Sequence, residues 1–469
     1  MRAADLFLRL FLHLQYVLWY THNMMVSKKK VMTKKKKISP VLIFFLTLGG
    51  ILLVGLSGLF FLSLQTGKRG VQQAWNTGAD ETGGQDGSGQ DNLEGKDNAE
   101  GKTPLHSLWE MIPEKQAAAE EEEEKEPYAD ILRDPEYMAA NRIYEKKSSE
   151  DGKVTLCFAG DILFDDEYAV MAKLKNRGGA IENGISEALI SEMRAADIMM
   201  INNEFPYTNR GTPTEGKTYT FRADTDTVHY LDDLGVDLVS LANNHCYDFG
   251  ETGLLDTLDT LQQDGIPYAG AGRNLEEAAA PVYFISGGMK IGFLSATQIE
   301  RLDNPDTKGA TEGAAGVFRC WNPEKLLAVT EETRKNCDFL VVYIHWGTEN
   351  VAEADWAQLD QAPKIAQAGA DLIIGDHPHC LQGIQYFGET PVFYSLGNFW
   401  FNSKTLDTCL LKVTLTDSRI ESMTFIPAVQ SGCYTSLAEG EEGQRVISYM
   451  NSLSTGVFIG SDGSINRQE

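Results

Sequence analysis

From Lys153 to about residue 460, short apolar runs alternate along the chain with amphipathic ones. Five runs, "VTLCFAGDIL", "ADIMMINNEF", "VDLVSLANNH", "DFLVVYIHWG" and "DLIIGDHPH", each stop in a polar cluster. Their length and aliphatic content predict buried strands. Between them, "TDTVHYLDDLG", "GETGLLDTLDTLQQDG", "PEKLLAVTEETRKN" and "DWAQLDQAPKIAQAG" carry apolar residues at helical spacing and predict helices. "PVYFISGGMKIGFLSAT" and "CLLKVTLTDSRIESMTFIPAV" read as hairpins turning at Gly287-Gly288 and Asp417-Ser418. Strand–helix units followed by hairpins predict a layered α/β domain with mixed sheets over residues 153–460. No repeat of solenoid period is present.

Upstream the pattern changes. Residues 41–64, "VLIFFLTLGGILLVGLSGLFFLSL", hold no charged residue. That length predicts a transmembrane helix across roughly 30 Å of hydrocarbon. The lysines of "SKKKVMTKKKKISP" precede it, so residues 1–40 are expected as a basic cytoplasmic N-terminus and the C-terminal domain as extracellular. The run exceeds a signal-peptide h-region and no small-x-small cleavage site follows, so a single-pass anchor in the cell membrane is expected. Residues 1–23 are apolar but interrupted by Arg9 and His13. They read as an interfacial helix, or as sequence upstream of a start at Met24, Met25 or Met32. Residues 65–150, dominated by Gly, Asp, Glu and Gln, predict a disordered acidic linker with short helical pieces near "LHSLWEMI" and "DILRDPEYMAANRIYEKK". Its glutamate run reads as solvated charge.

A formal charge of −26 over 469 residues excludes a nucleic-acid binder. Seven cysteines with no C-x-x-C spacing suggest neither a disulfide framework nor a zinc finger. Cys157 and Cys337 lie in apolar patterns and read as core residues.

The polar clusters at the strand ends carry the candidate chemistry. They place Asp161, then Asn203 and Glu204, then Asn243, Asn244 and His245, then His345, and finally His377 and His379, at positions that a parallel sheet brings together. Pro378 favours an extended path on which His377 and His379 point the same way. Carboxylate, amide and imidazole without thiolate form a donor set for borderline divalent ions such as Mn, Fe or Zn. So many donors exceed one ion's needs and suit a pair sharing a carboxylate.

The pieces "FAGDILF", "NNEFP", "YTFRA", "LANNHCYDFG", "YIHWGTE", "GDHPHCLQGI" and "VFYSLGNF" resemble the bacterial capsule-synthesis CapA family, also called the poly-γ-glutamate synthesis family, within the calcineurin-like metallophosphoesterase superfamily. The resemblance implies a four-layered α/β/β/α metallophosphoesterase-like domain, tethered outside the cell membrane. It implies action on an anionic envelope polymer such as polyglutamate, either as a metal-dependent hydrolase or as a non-catalytic accessory to membrane polymer-synthase subunits. The same resemblance implies one or two divalent ions, the two bridged by Asp161, with Glu204 as second acidic ligand. Asn244, His345 and His377 hold one ion, His379 helps hold the other, and His245, beside Asp248, is the general acid, so that Asp161 and His245 carry catalysis. One position departs from the superfamily: its Asp-x-His motif has Leu163 in place of the histidine, which weakens one ion position. Arg222 is a candidate clamp for a substrate carboxylate or phosphate, and Lys217 a weaker one. Trp346 and Tyr394 read as core residues, and Asn398 as a support.

Overall fold

The computed structural model describes residues 127–299 and 308–468, and the expected N-terminal segment, the anchor at 41–64 and most of the linker lie outside them. Among the described residues no helix is long and apolar enough to cross a membrane. Two mixed sheets stack face to face. The first has the order β1 (Ile143–Glu145), β7 (Val282–Ser286), β8 (Met289–Thr297), β10 (Phe339–His345), β11 (Leu372–Asp376), β13 (Thr390–Leu396), β12 (Leu381–Phe387). The second runs β17 (Tyr434–Leu437), β16 (Arg419–Ser431), β15 (Leu406–Thr416), β2 (Lys153–Ile162), β3 (Ile198–Asn203), β4 (Leu238–Ser240), β5 (Tyr268–Ala269), with β14 (Asn398–Trp400) on the end of β2. Two short ribbons, β6 (Ala271–Gly272) with β9 (Gly316–Val317) and β18 (Val457–Ile459) with β19 (Ile465–Arg467), lie apart.

Side-chain alternation builds the layers. On β2, Leu156 and Phe158 enter the core between the sheets, while Cys157 and Ala159 face the helices outside. Those helices are Ala169–Asn176, Glu187–Arg194, His229–Leu234 and Gly250–Asp264, whose buried leucines and methionines complete the outer core. On the other sheet, Leu340, Val342 and Ile344 of β10 pack outward with helices Glu324–Arg334 and Trp356–Gln367. Val341 and Tyr343 point inward. Helix Gly440–Leu453 packs against β12 and β16. The architecture is helix, sheet, sheet, helix, and both sheets are mixed. Each fully buried phenylalanine between the sheets, such as Phe158, Phe293 and Phe393, contributes on the order of 1.5–3 kcal/mol.

The five expected strands and four expected helices are present. Both expected hairpins form, and both turn residues of each take positive φ: 53° and 74° at Gly287 and Gly288, 50° and 59° at Asp417 and Ser418. That is the backbone of a type I′ turn, whose twist matches that of the strands. Within the linker, the helical piece expected near "DILRDPEYMAANRIYEKK" is present as helices Ala129–Leu132 and Pro135–Ala140, and the edge strand β1 that follows was not expected. Ile143 is buried there and pairs with Tyr283. Tyr128, Ile131, Leu132 and Met138 pack against the same outer core.

Candidate metal centre

β2, β3 and β4 run parallel, as do β10 and β11, and the loops leaving their C-terminal ends meet at one edge of the stacked sheets. Register sets the neighbours: Asp161 pairs with Asn202 and with Asn398, and His345 with Asp376. The approach is close. A Cβ on Gly160 would lie 1.9 Å from the Gly397 carbonyl oxygen, so only glycine fits beside Asp161. His377 and His379 reach the same site by another route than expected. Their φ values are 100° and 57°, so the chain turns at both instead of running extended through Pro378. A non-glycine residue held there costs on the order of 1–3 kcal/mol and marks a constrained site. The backbone N–H of Asn350 donates to the Pro378 carbonyl at 2.8 Å and fastens the turn.

The structure brings together Asp161, Glu204, Asn244, His345, His377 and His379. The ligand atoms of Glu204, His345 and His377 lie within 4.8 Å of one another, and so do those of Asp161, Glu204 and His379. His345 Nε2 is 2.8 Å from Asn244 Oδ1, 3.1 Å from His377 Nδ1 and 3.5 Å from Glu204 Oε1. His379 Nδ1 is 3.1 Å from Asp161 Oδ2. Donors at about 2.1 Å from one ion stand about 3.0 Å apart at a right angle and about 3.4 Å apart in a tetrahedron. The observed spacings match both. Glu204 supplies the stronger test: it is fully buried, and neither carboxylate oxygen has a hydrogen-bond partner. A buried carboxylate without a donor is costly unless a cation lies against it. The donor set fits divalent cations.

The electrostatics of the ion-free protein agree. Burial, then the charge of Asp161, pushes the Glu204 carboxyl well above its ordinary range. Asp376 is raised by the same two causes, and its Oδ1 is also unpaired. Burial and the neighbouring His377 and His379 push His345 well below the usual imidazole value. His379 moves the other way: burial pulls it down, but its bonds to Asp161 outweigh that. Burial and like-charged neighbours thus hold Glu204 and Asp376 toward their protonated forms and His345 toward the neutral form that can ligate a cation.

Around this set lies a second ring of contacts. Asn202 Nδ2 donates to Asp161 Oδ1 at 2.8 Å and lies 3.2 Å from His345 Nδ1, orienting a carboxylate and an imidazole together. Asn398 Oδ1 is 2.8 Å from His379 Nδ1. His245 Nδ1 is bonded to Asp248 Oδ2 at 2.7 Å, and its Nε2 faces Glu204 Oε1 at 3.9 Å. Asp248 in turn accepts from the Phe221 backbone N–H at 2.7 Å and pairs with Lys217. Lys217 Nζ also donates to the Asn244 carbonyl. Phe221 lies against His245 and Phe401 against His379, at 4.2 and 5.1 Å between ring centres.

Asn202, Asp376 and the positioning role of Lys217 were missed. Asn202 and Asp376 sit one residue before recognised positions, where an alternating strand pattern assigns them to the other face. The structure does not bring Arg222 into the cluster. Its guanidinium lies over the Phe249 ring at 4.8 Å and 4.0 Å from Glu167. Asn203 and Asn243 serve the loops: Asn243 Oδ1 accepts from the backbone N–H of His245 and Cys246. Leu163 is fully buried in the core beneath the outer helices and offers no ligand. Trp346 and Tyr394 are core residues, joined by a 2.9 Å bond from Trp346 Nε1 to the Tyr394 carbonyl.

Fold and site together define a double-sheet α/β domain carrying a histidine–carboxylate donor set at its strand ends. The chain belongs to the family of bacterial capsule synthesis proteins (PGA_cap), whose model matches residues 155–403. It is 30% identical over 276 residues to the PGA biosynthesis protein CapA of Bacillus subtilis (strain 168), covering 57% of this chain and 70% of that protein. It is 27% identical over 300 residues to the capsule biosynthesis protein CapA of Bacillus anthracis, covering 61% and 70%. A probable polyglutamine synthesis accessory protein of Mycobacterium tuberculosis is 27% identical over 219 residues, 45% of this chain and 58% of that protein. Among solved structures, a 5'-nucleotidase from Candida albicans SC5314 aligns with a TM-score of 0.33 and 11% identity over 60% of this chain and 53% of that one. Likeness at that level says nothing of site or activity.

Proposed function

We propose that this protein works in capsule biosynthesis on an anionic envelope polymer such as poly-γ-glutamate, as a metal-dependent hydrolase of metallophosphoesterase type. Residues 41–64 would anchor it in the cell membrane, with the folded domain outside beside polymer-synthase subunits. The observation that carries the catalytic reading is Glu204, buried without a donor among three imidazoles and Asp161. Asn244, His345, His377 and Glu204 would hold one divalent ion, and Asp161, Glu204 and His379 a second. When bound, such ions polarise a substrate oxygen and make a neighbouring water more acidic. The chain's own residues do the rest. Asp248, steadied by Lys217 and the Phe221 N–H, fixes the His245 ring so that Nε2 faces the centre and can move a proton there. Phe221 packs on the ring of His245 and Phe401 on that of His379, which limits how far either imidazole can turn.

A second reading is a non-catalytic accessory subunit for polymer synthesis or export. Leu163, packed in the core where the superfamily places a ligand, favours it. Complementation separates the two. A deletion strain carrying the Asp161→Ala/His245→Ala double variant at wild-type abundance should make no normal polymer if the centre is catalytic. Restoration of normal polymer would instead leave the accessory role.

A further inference from the structure

Glu349 belongs to neither inner group of donors. It follows β10 in the sequence "HWGTE" and is exposed, yet its carboxylate lies with His377 and His379 in a third triad whose ligand atoms are all within 4.8 Å of one another. Gly347 at φ 92° and Asn350 at φ 58° reverse the chain around it. Its loop is tied to the histidine turn by the Asn350 N–H to Pro378 carbonyl bond and to β12 by Gln382 Nε2, which donates to the Val351 carbonyl at 2.9 Å. Glu349 is therefore held at the site by backbone contacts. A cavity of about 410 Å³ opens beside it, lined by Gln298, Thr348, Glu349 and Asp355 and reaching His377, with no lysine or arginine among the described residues of its wall.

The three triads share members in a particular way. His377 joins Glu349 outside and Glu204 with His345 inside, while His379 joins Glu349 outside and Glu204 with Asp161 inside. An ion held by the outer triad already touches one imidazole of each inner group. Moving inward to Glu204, His345 and His377 exchanges one carboxylate, Glu349, for another, Glu204, so the charge around that ion is conserved, while moving to Glu204, His379 and Asp161 adds a second carboxylate. Asp161, Glu204 and His345 are fully buried and His379 is the most exposed of the imidazoles at the centre, its side chain 16% accessible. A buried site needs an entry path, and an acidic cavity concentrates cations at its mouth.

We propose that Glu349, with His377 and His379, forms a loading site that captures divalent cations from the cavity and passes them to the buried donors. This rests on the reading of the inner donors as a metal centre. The test uses full-length protein in detergent, stripped with chelator and mixed with Co²⁺, whose visible absorption band reports coordination. Wild type should load at a rate that falls with added salt. Glu349→Gln should load roughly ten-fold more slowly, at the low end of electrostatic steering, to the same final cobalt content. Glu389→Gln, at the far end of the β12–β13 hairpin, should load like wild type. Equal rates in wild type and Glu349→Gln would overturn the loading role while leaving the centre intact. A lower final cobalt content in Glu349→Gln would also overturn it, by making Glu349 a permanent ligand. If wild type takes up no cobalt, the metal centre itself fails and the loading site with it.

Discussion

Replacing Glu204 with glutamine should change the sign of its effect on stability between ion-free and ion-loaded protein. The ligand oxygens of Glu204 and Asp161 lie within 4.8 Å, where two charges repel by about 3.5 kcal/mol at an effective dielectric constant of about 20. Glutamine removes that repulsion and breaks no hydrogen bond, because neither Glu204 oxygen has a partner. Burying the new amide offsets about 1–3 kcal/mol, less whatever its N–H recovers by donating to Asp161. The net expectation in chelator is a variant more stable than wild type by about 1–2 kcal/mol. With Mn²⁺ at a hundred times its dissociation constant, wild type gains about 2.7 kcal/mol per site. The variant, lacking the carboxylate shared by both inner groups, gains much less and becomes the less stable protein. Thermal unfolding of the full-length protein in chelator and in Mn²⁺ reads both arms. The chelator arm has a pH signature. Folding raises the Glu204 carboxyl above its ordinary value, so the folded state holds that proton more tightly than the unfolded state. Wild-type stability is therefore unpenalised below the ordinary carboxylate range and falls as pH rises toward the raised value. The advantage of glutamine should be absent at acid pH and grow through that window. A variant less stable than wild type in chelator at neutral pH, yet equally stabilised by Mn²⁺, would refute the argument.

Other changes test the surroundings. Lys217→Met should cost about 3–5 kcal/mol by urea unfolding, because it strips the cation from fully buried Asp248. Burial first, and the lysine's charge with it, hold the His245 imidazole down, so in chelator the same variant should raise the His245 titration midpoint by NMR. Leu163→His should destabilise the protein by about 1–3 kcal/mol, since it sets a polar ring in an apolar core. If it instead adds a ligand, Mn²⁺ affinity rises by equilibrium dialysis and the placement of residue 163 is wrong. For the topology proposed above, protease added to intact protoplasts should release a soluble fragment by cutting the acidic linker. Full protection would disprove an extracellular domain.

Much of this molecule is legible along the chain because its signals are local and redundant. Each core strand is a short aliphatic run ending in a polar cluster, and parallel pairing sends those ends to one edge whatever the exact register. The donor set was readable for that reason. Features that depend on partners distant in sequence were not. Asn202 acquires its role from the one-residue register that sets it against Asp161, and Asp376 from the pairing that sets it against His345. A register is a property of two strands, and neither strand's sequence states it.

The histidine turn is the instructive failure. Proline restricts the residue before it to extended backbone, and on that rule His377 and His379 should alternate along a strand and share a face. They do converge, but through left-handed conformations at both residues, held by the Asn350 N–H on the Pro378 carbonyl. The local preference gave way to the packing of the whole site, of which this bond is one contact. The same bond brings Glu349 against the two imidazoles, and nothing in the spacing of Glu349 from His377 signals that they meet. Strain at the turn and the approach of an extra carboxylate are thus one structural event. A turn that relaxed to the extended form expected from the sequence would keep His377 and His379 on one face, yet it would withdraw Glu349 and remove the outer triad.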